Sequence, residues 1–230
     1  MERGLYIAAS GMIAEQTRQD LIANDMANTG TAGYKSDRAT QRAFNEVLLE
    51  NTKTKQDIGA LGMGVAIDRQ ATDWTNGPLK ITDEPLDFAI QGDGFFTVRG
   101  AGGEAQYTRN GRFSAANDGT LTTATGETVI GRNGQPVRVG ADGTVDPNTL
   151  QVTLLNNPQK AGEGFVTGQA AGNAPIGTVK SGAIEGSGVD AARAMVDMIA
   201  SMRAFEAGQK VIRTIDDTLG KAANDVGRLG

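Results

Sequence analysis

The stretch Met195–Val226, MVDMIASMRAFEAGQKVIRTIDDTLGKAANDV, decides the fold. Met198, Phe205, Ile212, Leu219 and Val226 recur every seven residues, and Met195, Met202, Ile215 and Ala222 fall three before or after them. Apolar residues at this spacing line one side of a helix, and a heptad repeat held over about four cycles marks a helix that packs on another helix. No proline occurs from Ser187 to Leu229, which allows a continuous helix roughly 64 Å long at 1.5 Å per residue. Ser187 or Asp190 is placed to cap its start, because a short polar oxygen accepts from an unpaired backbone N–H. Gly208 and Gly220 weaken the helix by about 1 kcal/mol each relative to alanine. Arg203, Glu206, Lys210, Arg213, Asp217 and Lys221 fall off the seam.

The N-terminal end carries a weaker version of the same pattern. Leu5, Met12 and Met26 are seven and fourteen apart, with Ala9, Ile22 and Ala23 beside them and Gln16 and Gln19 interrupting the stripe. There is no proline before Asn28, and Gly30 and Gly33 follow as stop signals. Two such helices cannot both leave a seam in water, since each buried methylene is worth about 0.8 kcal/mol. Pairing them with each other satisfies both, and any leftover face is free for neighbouring subunits. An ordinary helical hairpin within a monomer is the alternative reading.

Between the ends, 32 of 230 residues are glycine, about twice the usual share. Asn76-Gly77, Asn110-Gly111 and Asn133-Gly134 are dipeptides favoured in type I′ turns, and Asp118-Gly119 and Asp142-Gly143 add two more turn signals. Short apolar or alternating runs lie between them: 87–90, 95–98, 120–123, 128–130, 136–139 and 150–155. Turns at this frequency predict an antiparallel all-β domain. Upstream, the spacing of Phe44, Val47 and Leu48 predicts a short helix over 39–51, followed by an extended strand through Val65, Ile67 and Trp74. Residues 161–176 have few large apolar side chains and read as a long loop. The expected fold is α+β. N- and C-terminal helices (1–30 and 187–230) pair as a coiled-coil core, an extended connector spans 31–75, and a central β domain spans 76–186.

Composition excludes much chemistry. The chain has no cysteine and no histidine, so disulfides, thiolate nucleophiles and imidazole acid–base catalysis are ruled out. With 22 basic against 27 acidic residues the net charge is −5, and aromatics make up only 5%, which argues against a nucleic-acid partner. Gly59-Ala60-Leu61-Gly62-Met63-Gly64 lacks the lysine and Ser/Thr of a phosphate loop. Asp83, Glu84 and Asp87 could be paired carboxylates for glycoside hydrolysis, but Pro85 between them points to a solvated turn. The Asp-Gly-Thr repeats at 118–120 and 142–144 lack the ligand run of a calcium loop. Asp216 and Asp217 point to different sides of one helix. No cofactor, metal site or catalytic residue is therefore expected. No basic-then-apolar signal peptide is visible, and no stretch approaches the ~20 apolar residues of a membrane span.

The segment Asp20-Leu-Ile-Ala-Asn-Asp-Met-Ala-Asn-Thr-Gly-Thr-Ala-Gly-Tyr-Lys35 resembles the N-terminal signature of the bacterial flagellar rod and hook protein family, with Asp25 where a second asparagine is usual. Leu86–Phe96, Tyr107–Phe113, and Met198-Ile199 with Arg203–Ala207 resemble its further motifs in the right order; Gly188 and Gly208 stand where asparagines are common. The resemblance implies a structural subunit of the basal-body rod that polymerises into a helical tube carrying torque from motor to hook. Its terminal helices form the inner core and a β domain lies outside. It implies unfolded export by the flagellar secretion apparatus without a cleaved signal, assembly beneath a rod cap, and a place across the periplasm beside other rod and hook proteins and surrounding rings. The length leaves the distal rod protein and its proximal-rod relative open. The expected assembly interface comprises Leu5, Met12, Ile22, Asn24, Met26, Asn28, Met195, Met198, Met202, Phe205, Ile212, Leu219 and Val226. The side-chain amides of Asn24 and Asn28 either satisfy backbone groups near the helix end or mark a simple stop. The alternative function is a β-domain module that grips a ring or cell-wall partner.

Overall fold

With no proline to break it, the N-terminal segment forms one 26-residue helix, α1 (Glu2–Ala27). The C-terminal segment forms one of 37 residues, α2 (Ala191–Gly227). These come from a computed structural model, which describes residues 2–44, 47–50, 57–100, 102–172 and 177–227. The chain divides into two compact units. One gathers Met1–Ala27, Asp37–Ala71 and Ala191–Gly230, and the other Asn28–Ser36 and Thr72–Asp190. The architecture is α+β, with a central region of antiparallel strands.

In the helical unit α1 and α2 lie side by side in opposite directions. A Cβ at Gly4 would meet Ile215, Gly208 faces Met12, and Ser201 bonds Glu15, so numbers rise along one helix as they fall along the other. The inward row of α2 is Ala194, Met198, Ser201, Phe205, Gly208, Ile212 and Ile215, all buried or half-buried. This corrects one half of the seam. The row through Met198, Phe205 and Ile212 faces inward as expected, but its companion row lies three residues after it. Met195 and Met202, three before, face outward. The reason is size: Ser201 and Gly208 let the helix axes approach, and a Cβ at 208 would fall 2.7 Å from Met12 Cγ.

The segment expected to be a short helix over 39–51 is instead strand at Asp37–Ala43 and Val47–Glu50, with 45, 46 and 51 outside the described residues. Asp37–Ala43 pairs with Val65–Thr72, and Val47–Glu50 pairs antiparallel with Asp57–Leu61. Thr40 and Arg42 are held across the pair, by the Arg69 carbonyl and by Asp68. Strand pairing supplies the backbone partners that a short amphipathic helix would have to find in itself, and such isolated helices are marginal in water.

In the β unit the largest sheet runs, edge to edge, Leu155–Gly162, Phe165–Ala170, Ala105–Thr108, Phe95–Arg99, Thr128–Val129, Leu121–Thr123, Phe113–Ala115, with Val152–Thr153 also on Phe95–Arg99. Two small pairs complete it: Phe88–Gln91 with Thr178–Ser181, and Leu79–Ile81 with Ala183–Glu185. The core gathers Phe88, Phe96, Val98, Phe113, Leu121, Val129, Leu150 and Val152. Phe96 meets Phe113 edge-on at 5.3 Å, a favoured aromatic geometry.

The turns differ from expectation. At Gly119, Gly134 and Gly143 the amide bonds the carbonyl three residues back and only the glycine has positive φ. A type I′ turn needs positive φ at both central residues. That signature occurs at Glu163-Gly164 (φ 51° and 80°), which joins Leu155–Gly162 to Phe165–Ala170. Much of the expected 161–176 loop is therefore a hairpin, with 173–176 outside the described residues. Its strands are mostly exposed, so no apolar alternation marks them. Asn76-Gly77 and Asn110-Gly111 close no hairpin. Gly111 lies so close to Phe88 that an added Cβ would fall 1.6 Å from its carbonyl oxygen, while Phe88 donates its amide to the Gly111 carbonyl.

Candidate functional site

The expected interface residues divide by exposure. On α1, Leu5, Met12, Ile22 and Met26 are half-buried and Asn24 is exposed; Asn28, just past the helix, is half-buried. Its Oδ1 accepts from the Thr31 hydroxyl at 3.1 Å and its carbonyl accepts the Thr31 amide, so it serves the chain leaving the helix. On α2, Met198, Phe205 and Ile212 are half-buried against α1. Met195, Met202 and Leu219 are exposed, and Val226 lies outside the described side chains. The outward face of α2 carries more apolar surface than the expected set named. Met195, Ile199 and Met202 follow one another at helical spacing, 53%, 52% and 49% exposed, with Val196 at 65%. On α1, Tyr6 and Ile13 are likewise exposed. Beside the helix pair runs a cleft of about 400 Å³ whose walls include Gly4, Ala8, Gly11, Ala204 and Gly208. Small residues there leave room that large side chains would otherwise fill.

The β unit holds a site of another kind. Lys35, Arg109 and Glu185 are all buried. Lys35 Nζ donates to Glu185 Oε1 and to the Thr75 carbonyl, each at 2.7 Å. The Gly77 amide donates to the same Oε1 at 2.7 Å. Arg109 Nε donates to Glu185 Oε2, and its remaining nitrogens reach the carbonyls of Gly94, Ile90 and Gly92 and Asn76 Oδ1. One carboxylate thus faces two cations, and oriented carbonyls take up the second charge. Gly33 makes the approach possible. At φ +67° it donates its amide to the Glu185 carbonyl, and a Cβ there would fall 2.5 Å from the Arg109 backbone.

Burial alone would push the Glu185 carboxyl up, but the Arg109 charge and the hydrogen bonds from Arg109, Lys35 and Gly77 outweigh it and hold it below its ordinary value. Burial pulls the Lys35 ammonium below the usual lysine range, and Glu185 offsets only part of that. In the sequence Lys35 ends the Asp20–Lys35 motif and Arg109 lies inside the Tyr107–Phe113 motif, whereas Glu185 lies in none of them. The available signal was a lone carboxylate in the apolar run Ala183-Ile184-Glu185, because a buried charge needs a partner.

The carboxylates considered for hydrolysis do not form such a site. Asp83 and Glu84 are exposed and Asp87 is buried. Asp118 and Asp142 each bond the amide and hydroxyl of the threonine two residues on; these bonds hold both carboxyls below their ordinary values and mark turns. Among the described residues no group of three or more acidic side chains could hold a metal ion, and no helix is long and apolar enough to cross a membrane.

The chain matches three family descriptions in order. They are "Flagella basal body rod protein" over residues 5–35, "Flagellar hook protein FlgE/F/G D1 domain" over 89–154, and "Flagellar basal body rod FlgEFG protein C-terminal" over 180–225. Each matched region contributes one member of the ion cluster: Lys35, Arg109 and Glu185 in turn. The chain is 31% identical to the flagellar hook-basal body complex protein FlhO of Bacillus subtilis, covering all of both chains. It is 33% identical to the flagellar basal-body rod protein FlgG of Agrobacterium fabrum, over 94% of this chain and 96% of that one. To the flagellar basal-body rod protein FlgF of Rhizobium meliloti it is 31% identical, over 99% of each. With its helices, its β unit and all three matched regions accounted for from end to end, the chain belongs to the flagellar basal-body rod protein family, whose members are structural subunits of the basal body and not enzymes.

Proposed function

We propose that this rod subunit polymerises into a helical tube that carries torque from the motor to the hook, with its paired terminal helices as a coiled-coil core. The observation that carries this is the outward face of α2. Met195, Val196, Ile199 and Met202 present a continuous apolar strip to solvent, and monomeric soluble proteins rarely leave such strips uncovered. A second copy covers it in the tube. The cleft beside Gly4, Ala8 and Gly208 is a different surface from the strip. Contacts between unlike surfaces are heterologous and generate an open helical filament when they do not close.

In this reading Leu5, Met12, Ile22, Asn24, Met26 and Asn28 from the N-terminal end act with Met195, Met198, Met202, Phe205, Ile212, Leu219 and Val226. Residues 31–75 act as connector, and the β domain over 76–186 distinguishes this segment of the tube from its neighbours. The subunit is exported by the flagellar apparatus without a cleaved signal, assembles beneath a rod cap, and spans the periplasm between other rod and hook proteins, with ring proteins around it. Methionines on the strip suit slightly non-equivalent neighbours, because their side chains repack easily.

The test is deletion of residues 187–230. The concentrated full-length protein is expected to form filaments, and the deletion variant to lose both filaments and motility; retention of both by the variant would overturn the proposal. Electron microscopy of basal bodies labelled on this chain then places it as distal or proximal.

A further inference from the structure

We propose that Glu15 is the register key of the helical unit: its one carboxylate reads α2 through Ser201 and the Asp37–Ala43 strand through Gln41. Ser201 is fully buried, and its hydroxyl lies 2.7 Å from Glu15 Oε2 and 3.2 Å from the Glu15 carbonyl. Gln41 Nε2 donates to Glu15 Oε1 at 3.1 Å. The Glu15 side chain is 16% exposed, so these donors replace much of the water it would otherwise have.

The repeating row of large apolar residues does not set the register alone. Met198, Phe205 and Ile212 repeat at seven residues, and the small residues Ala194, Ser201 and Gly208 repeat at the same interval. A slide of one heptad, about 10.5 Å, therefore puts like against like along the row of Met198, Phe205 and Ile212, while it moves Ser201 or Ile215 into the place of Gly208 opposite Met12. It brings Glu15 opposite Ala194 or Gly208, neither of which has a side-chain donor, and it separates Glu15 from Ser201. A polar group within an apolar seam selects one register because every other leaves it unsatisfied. Gln41 adds a third element, so the same carboxylate couples the position of the strand to that of α2.

The chain has no cysteine, so introduced pairs report register without background. In the full chain, Met12→Cys with Gly208→Cys marks the observed register, since a Cβ at 208 falls 2.7 Å from Met12 Cγ. Leu5→Cys or Gln19→Cys with Gly208→Cys marks registers displaced by one heptad. Mild oxidation followed by mass spectrometry of the intramolecular disulfide should favour the 12–208 pair by about tenfold or more. Glu15→Gln, which keeps an acceptor for Ser201, should retain that preference. Glu15→Ala with Ser201→Ala should bring it close to unity. An unchanged preference in the double alanine variant would overturn the proposal. So would an equal loss in Glu15→Gln, or the loss of every cross-link with helix content intact by circular dichroism, since the pair would then hold the helices together without choosing between registers.

Discussion

The two units solve the burial problem in opposite ways. The β unit encloses Phe88, Phe96, Leu121 and Leu150, all fully buried, and compensates its buried charges internally. In the helical unit the buried apolar side chains among the described residues are two alanines, Ala14 and Ala194, while its large apolar residues are half-buried or exposed. The β unit is finished within one chain. The helical unit packs small residues together with one large row, Met198, Phe205 and Ile212, in the intramolecular contact, and leaves Met195, Val196, Ile199 and Met202 uncovered. Stability and assembly are therefore expected to separate along the same line, and mutations can test that separation.

The largest effect is expected where both roles meet. Removing residues 187–230 takes away α2 and should abolish assembly outright, read as absence of filaments and of swimming. Next comes the ion cluster. Glu185→Ala leaves Lys35 and Arg109 buried without their counter-charge, and losing one partner of a buried pair costs about 3–5 kcal/mol. Chemical denaturation of the full chain measures it. The same carboxyl predicts the acid behaviour. Its folded value lies below the ordinary 4.5, so its contribution is complete above that pH and is lost as pH falls through the lowered folded value. A melting temperature that rose on acidification below pH 4.5 would contradict this; in Glu185→Gln this part of the acid sensitivity should be missing.

A somewhat smaller loss, about 3 kcal/mol, is expected for Gly111→Ala. Its methyl would overlap the Phe88 carbonyl, and overpacking that displaces backbone sits at this end of the range. The smallest effect on stability should come from Ile199→Ser, within about 0.5 kcal/mol, as for other exposed positions. Yet it should weaken filament formation, read by sedimentation of polymer against monomer. If Ile199→Ser destabilised the monomer as much as Gly111→Ala, or left polymerisation unchanged, the contrast between the units would fail.

The legibility of the chain follows the range of the interactions involved. Helix α2 was readable because its period, its missing prolines and its polar flanks are local properties, and the N-terminal helix was readable for the same reasons. The β domain was readable from turn residues and short apolar runs, although the turn types were not: Asn110-Gly111 carries a hairpin dipeptide and instead packs against Phe88. The strand Asp37–Ala43, which overlaps the start of the helix expected over 39–51, is not legible because its side chains are largely exposed and leave no alternation. The exposed 155–170 hairpin was missed for the same reason. Which row of the α2 heptad faces α1 was also hidden, since Met195 and Met202 look better than Ser201 and Gly208 on any apolar scale. Close approach favours the small pair.

The sequence by itself determined two long helices, an antiparallel β region between them, a chain without thiol or imidazole chemistry, and motifs that resemble one family from end to end. All of these depend on residue types at short spacing. Tertiary structure alone decided that Lys35, Arg109 and Glu185 share one buried site across 150 residues of chain, that Glu15 meets Ser201, and that Met195, Ile199 and Met202 of α2 face outward while Met198, Phe205 and Ile212 face α1. Those outcomes depend on which distant segments come within about 3 Å of each other, the reach of a hydrogen bond, and no local pattern encodes a distance between residues so far apart in the chain.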